Sequence, residues 1–133
     1  MKDRIGEVAK RMNVSIHTLR YYDKEGLLPF VDKTKSGTRV FKEEDFEWLN
    51  IIECLKATGM PIKDIRVFID WCMQGDGTIR QRYEMFLERK AIVEEQMAQL
   101  QKALDTINYK CWYYKTALEA GTVDIHQSQS HIS

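Results

Sequence analysis

The side chains best suited to chemistry lie in residues 15–30, SIHTLRYYDKEGLLPF, where a histidine, a threonine, an arginine and two tyrosines share one short segment. Read as a helix, it offers His17, Thr18, Arg20 and Tyr21 on an exposed face, with Ile16 and Leu19 turned to a core. Such groups bond phosphate oxygens and base edges. Neither here nor elsewhere does the sequence hold a nucleophile beside a base, a phosphate-cradling loop or a metal-ligand pattern. It therefore argues against an enzyme and calls for no cofactor.

Three cysteines, Cys54, Cys72 and Cys111, form no short-spaced pair. A disulfide framework and a metal site within one chain are both unexpected, and a reducing cytoplasm is expected. Cys54 has Asn50, Ile51, Ala57 and Thr58 as helical neighbours, a mixed set that places it at a core boundary. A reactive thiol there needs a cation from elsewhere in the fold; otherwise Cys54 is a small packed hydrophobe. Cys72 and Cys111 fall on apolar stripes and read as packing residues.

The net charge of zero hides a polarity along the chain. Residues 1–42 hold ten Lys or Arg against five Asp or Glu (10 − 5 = +5), whereas residues 43–75 hold three against seven (3 − 7 = −4). A basic N-terminal unit on an otherwise acidic chain is a nucleic-acid footprint. With 133 residues, 44% of them apolar, the chain has enough for one small domain plus an extended element. No run approaches the apolar length of a membrane span, and the start does not read as a secretory leader.

Helical periodicity positions the candidate residues. Ile5, Val8, Ala9 and Met12 mark a first helix ending near Asn13; Ser15 caps a second, which runs to about Lys24 and is closed by Gly26. Two short helices joined in this way form a helix-turn-helix. Residues 28–41 read as a β-ribbon, Leu28 and Phe30 on one arm and Arg39-Val40-Phe41 on the other. The basic tip of this ribbon is either a wing reaching a phosphate backbone or a solvated hairpin. Helices three and four follow over about 43–73, separated by Gly59 and Pro61. The first 75 residues thus read as a winged helix-turn-helix domain.

After the break at Gly75-Asp76-Gly77-Thr78, positions 79, 83, 86, 90, 93, 97, 100, 104, 107, 111, 114 and 118 alternate steps of four and three. All but Lys90 are apolar or weakly polar, which predicts a coiled-coil helix over 78–120. Val93, Met97, Leu100, Leu104, Ile107 and Cys111 form the middle of its seam. A lone helix cannot bury such a seam, so the pattern calls for a homodimer. Residues 121–133 read as a flexible polar tail. The fold class is mainly α, and the function that fits it is reading double-stranded DNA.

The run IGEVAKRMNVSIHTLRYYDKEGLL at 5–28, with SGTRVF at 36–41, resembles the MerR-type transcriptional regulators. The likeness covers roughly residues 4–118. It implies an antiparallel coiled-coil dimer that binds an over-long promoter spacer and distorts it on effector binding, realigning the promoter for RNA polymerase. It also implies that Arg20, Tyr21 and Tyr22 contact DNA, with Tyr22 equally open to a core role. Arg39 carries over as the wing's phosphate clamp, Lys35 as its weaker partner, and Lys63 as a second-wing contact or a solvated lysine. The segment IIECLKATGM and the GDGT break resemble the AdhR-like, thiol-based branch that answers aldehydes and other electrophiles, with Cys54 as the sensing thiol. An adduct there is expected to crowd Trp48 and Ile51. The alternatives are a non-covalent ligand near Tyr109, Trp112, Tyr113 and Tyr114, or an architectural coiled-coil protein.

Overall fold

Asn13 takes the left-handed conformation (φ 57°, ψ 42°), and the backbone amide of Val14 returns to the Ala9 carbonyl at 3.0 Å. This closes the first helix in the computed structural model, which describes residues 3–127. Strand β1 (Asp3–Arg4) leads into α1 (Ile5–Met12) and α2 (Ile16–Lys24). Next come β2 (Asp32–Lys33), β3 (Arg39–Phe41), α3 (Asp45–Ala57) and α4 (Ile62–Gln74). A 3-10 turn, Asp76–Thr78, precedes the long α5 (Ile79–Ala120), and a second one, Val123–His126, follows it. The mainly helical class read from periodicity is the class the chain forms.

Two compact units divide between Arg89 and Lys90, inside α5. The core of the first gathers Val8, Leu19, Tyr22, Leu27, Leu28, Phe41, Leu49, Ile52, Leu55, Ile65 and Ile69, all essentially inaccessible. Each such side chain stabilises the unit by about 1.5–3 kcal/mol of transfer free energy before entropy is counted. Phe30 stacks on Trp48 with ring centroids 5.5 Å apart, and Phe68 meets Phe86 edge-on at 5.3 Å.

The sheet corrects the expected ribbon. Residues 28–31 form a turn, with the Val31 amide donating to the Leu28 carbonyl at 3.2 Å and the Lys42 ammonium donating to the Phe30 carbonyl at 3.0 Å, so Leu28 and Phe30 do not pair as a strand. Pairing begins at Asp32 instead, opposite Val40, and Lys33 lies opposite Arg39. On the other side of β3, β1 adds a third antiparallel strand in the order β1-β3-β2. Ile16 is also corrected. It is 39% exposed, and its Cδ1 lies over Gly6 rather than entering the core.

At the start of α3, Asp45 is a buried carboxylate. Lys42 serves it twice, with the backbone amide and Nζ each 3.0 Å from a carboxylate oxygen. The same ammonium donates to the Phe30 carbonyl at 3.0 Å. The hydrogen bond to Asp45 holds the Lys42 amine above the usual lysine value.

In the second unit the middle of the expected seam faces solvent in the single chain: Met97, Leu100, Leu104 and Ile107 are exposed, as is Cys111, while Val93 is half-buried. Within the expected flexible tail, a 3-10 turn covers Val123–His126. His126 is 3% exposed and stacks on Tyr113 at 4.1 Å, with Nε2 3.0 Å from the Tyr113 carbonyl oxygen and 2.8 Å from Thr116 Oγ1. A buried aromatic face with a hydrogen-bonding tip offsets the entropy of ordering this turn. Residues 128–133, the rest of the expected tail, lie outside the described residues.

Candidate nucleic-acid interface

The first unit builds one exposed donor face. Ser15 caps α2 through its Oγ, which accepts from the Thr18 amide at 2.9 Å. With the helix start fixed, Leu19 and Tyr22 fall on the core side. His17, Arg20 and Tyr21 fall outward, at i, i+3 and i+4. Thr18 is half-buried, and its hydroxyl lies 2.9 Å from Ser15 Oγ, so it belongs to the cap as much as to the face. Lys24, one turn after Tyr21, completes this face; the i+7 spacing from His17 was the signal that could have identified it. Gly26 then turns the chain with φ +79°, and a side chain there would meet the Arg66 guanidinium at 3.3 Å.

Tyr22 is removed from the DNA-contacting set. Its ring is 1% exposed in the core, and its hydroxyl donates to Glu53 of α3. Burial, and then the Glu53 carboxylate, push its phenol far above the usual tyrosine value, so it remains a donor at any working pH.

The Arg39 guanidinium, expected to clamp phosphate, is only 16% exposed, and three of its five N–H groups are engaged within the chain. Nε and Nη2 donate to Asp23 at the end of α2, and Nη1 donates to the Val31 carbonyl. In this geometry Arg39 joins the wing to α2. The exposed cations of the wing are Lys35, at the turn, and Lys33, on β2. That turn is built by the Thr34 amide on the Thr38 carbonyl at 2.9 Å and by Gly37 at φ +87°. Lys63 is exposed in the first turn of α4, next to which Pro61 sets the extended entry.

Of the three thiols, Cys54 is exposed on α3, so an adduct there has room in solvent and the expected crowding of Trp48 and Ile51 does not follow. Cys72 is half-buried; burial raises its pKa, with the Arg82 guanidinium opposing the shift. Among the described residues no three His, Cys, Asp or Glu side chains gather to hold a metal ion, and no helix is long and apolar enough to cross a membrane. In the second unit Tyr109, Trp112, Tyr113 and Tyr114 do form a contiguous aromatic cluster, with centroid separations from 4.9 to 6.1 Å.

The sequence profile described as MerR HTH family regulatory protein matches residues 4–70, and that described as MerR, DNA binding matches residues 46–109. An HTH-type transcriptional regulator of Haemophilus influenzae is 41% identical over 117 residues, spanning 88% of this chain and 87% of its own. The regulator AdhR of Bacillus subtilis is 34% identical over 91 residues, 68% of this chain and 65% of its own. Among solved structures, HiNmlR, a MerR family regulator lacking the sensor domain and bound to promoter DNA, superposes with a TM-score of 0.87 at 39% identity, covering 94% of this chain and 99% of that one. With the helix-turn-helix, wing and long helix in place, these likenesses show that the chain belongs to the MerR family of DNA-binding transcriptional regulators, a family of regulators rather than enzymes.

Proposed function

We propose that this chain binds promoter DNA as a homodimer, with α2 in the major groove, and that an effector makes it distort the promoter spacer for RNA polymerase in the cytoplasm. The observation that carries the reading is the row His17, Arg20, Tyr21 and Lys24, exposed along a helix whose other side is locked into the core by Leu19 and Tyr22. The major groove admits an α-helix, and arginine and lysine recognise the O6 and N7 acceptors of guanine. Lys35 and Lys63 supply phosphate contacts from the wing and from α4. The apolar seam of α5 closes against a second copy, which sets two recognition helices on successive turns of the duplex.

The proposed switch is Cys54, because an exposed thiol on α3 is open to an aldehyde or another electrophile. The resemblance of the segment IIECLKATGM to the AdhR-like, thiol-based branch supports the same reading. A second reading rests on a groove of about 450 Å³ in the second unit, lined by Tyr114, Ala117, Leu118 and Val123. Its apolar walls favour a non-covalent apolar ligand beside the aromatic cluster.

The test is fluorescence anisotropy with the duplex upstream of the protein's own gene and an unrelated duplex of equal length, across a salt series. Tight binding to the first, weakening steeply with salt, is expected. Equal affinity for both duplexes from an intact dimer would instead point to an architectural coiled-coil protein.

A further inference from the structure

We infer that Glu53 is a positioning residue for DNA recognition: by accepting the Tyr22 hydroxyl, its carboxylate fixes the rotation of α2 and so determines where Arg20 and Tyr21 meet the bases. The inference rests on the DNA-binding reading of α2.

The geometry has three parts. The Tyr22 ring is a rigid lever running from α2 through the core, and its hydroxyl ends on Glu53, 31 residues away on α3. The adjacent residue, Tyr21, faces outward, as does Arg20, so any turn of the lever is a turn of the reading face. Lys56, one turn beyond Glu53, places its ammonium 5.2 Å from the Tyr22 ring centroid and covers the same joint. A hydroxyl-to-carboxyl hydrogen bond is directional and weakens steeply as it bends. It is therefore suited to fixing an angle rather than merely filling a space.

Small rotations matter here. A side chain on a helix lies about 5–6 Å from the axis, so turning the helix by ten degrees displaces it by roughly 1 Å at that radius. Hydrogen bonds to base edges do not survive such a displacement. Long lysines on phosphates follow it easily. Losing the tie should therefore damage sequence discrimination and leave non-specific affinity alone.

The experiment uses the full chain in the Tyr22→Phe, Glu53→Ala, Tyr22→Phe/Glu53→Ala and Glu53→Gln forms. Each is titrated with the specific and the unrelated duplex across a salt series, and amide hydrogen exchange is followed over residues 16–24. Tyr22→Phe and Glu53→Ala should each lower the ratio of specific to non-specific affinity about tenfold, or about 1.4 kcal/mol. The double variant should lose no more than either single one. Glu53→Gln keeps an acceptor while removing the charge, and should stay close to the unsubstituted protein. Non-specific affinity and salt slope should be unchanged, and exchange over α2 should quicken in Tyr22→Phe.

Additive losses in the double variant would overturn the inference. So would equal losses on both duplexes, or operator preference and exchange both intact in Tyr22→Phe. Tyr22→Phe removes one oxygen and no packing, so it remains informative even if Glu53→Ala fails to fold. An unsubstituted protein with no preference for its own promoter would overturn the DNA-binding reading instead; unchanged exchange over α2 in Tyr22→Phe would then overturn the tie as well.

Discussion

Arg39 of the wing donates to Asp23 of the recognition helix through Nη2 at 2.6 Å and Nε at 3.0 Å, while its Nη1 holds the Val31 carbonyl. The wing and α2 are thus one mechanical piece. Arg39→Ala leaves both acceptors unpaired in a half-buried site, which should cost about 1–3 kcal/mol and lower the melting temperature. Arg39→Lys should recover little, because a point charge cannot span the two acceptors. Thermal unfolding followed by circular dichroism checks this. A normal melting curve with weakened DNA binding would restore the phosphate-clamp role.

Arg20 is exposed, and among the described residues none holds it as Asp23 holds Arg39, so its substitution should spare the fold. If it reads a base, Arg20→Ala should cost about 1–3 kcal/mol of operator binding and relax specificity at one position. If it meets only phosphate, the loss should be similar on every duplex, with a shallower salt slope. Unchanged operator affinity would exclude both roles.

Leu100 and Leu104 are exposed on the single chain and occupy successive seam positions. Replacing both with aspartate buries unpaired charge in the proposed interface, at a cost on the order of several kcal/mol. Sedimentation should then find monomers, with operator binding lost. A tight dimer would show that the seam lies on another face of α5.

Exposure should order the thiols. Cys54 is open, whereas Cys72 is half-buried with a raised pKa. At neutral pH, iodoacetamide followed by mass spectrometry should label Cys54 before Cys72, and labelling of Cys72 should rise as alkali populates its thiolate. In a reporter strain, Cys54→Ser should bind the operator but not respond to an aldehyde. Cys72→Ser and Cys111→Ser should still respond. Full induction of Cys54→Ser would favour a ligand at the aromatic cluster.

Lys42 gives a pH signature. Its amine is raised by the Asp45 hydrogen bond, so its stabilising contribution is fully present below the unfolded lysine value. That contribution should be lost only as pH climbs through the higher folded value. Lys42→Met leaves the buried Asp45 carboxylate with one backbone amide and should cost about 3 kcal/mol at neutral pH. Urea unfolding at neutral and strongly alkaline pH measures both; equal stability of the two proteins at neutral pH would refute the pairing.

Elements whose causes are local can be read directly from residue order. Ser15 bonds an amide three residues on, Gly26 supplies its own left-handed turn, and the alternating apolar positions of 79–118 write the stripe of α5 directly into residue spacing. The run TLRYYDKEGLL was equally legible, because a family likeness is carried by residue identity alone. Which polar groups are already engaged follows from the docking of distant elements. Arg39 finds Asp23 sixteen residues away, Tyr22 finds Glu53 thirty-one away, and His126 reaches the Tyr113 carbonyl thirteen away. No periodicity encodes such meetings, since they depend on how separate elements dock. Strand β1 was hidden for a related reason: two residues are too few to alternate, and only β3 beside them makes them a strand.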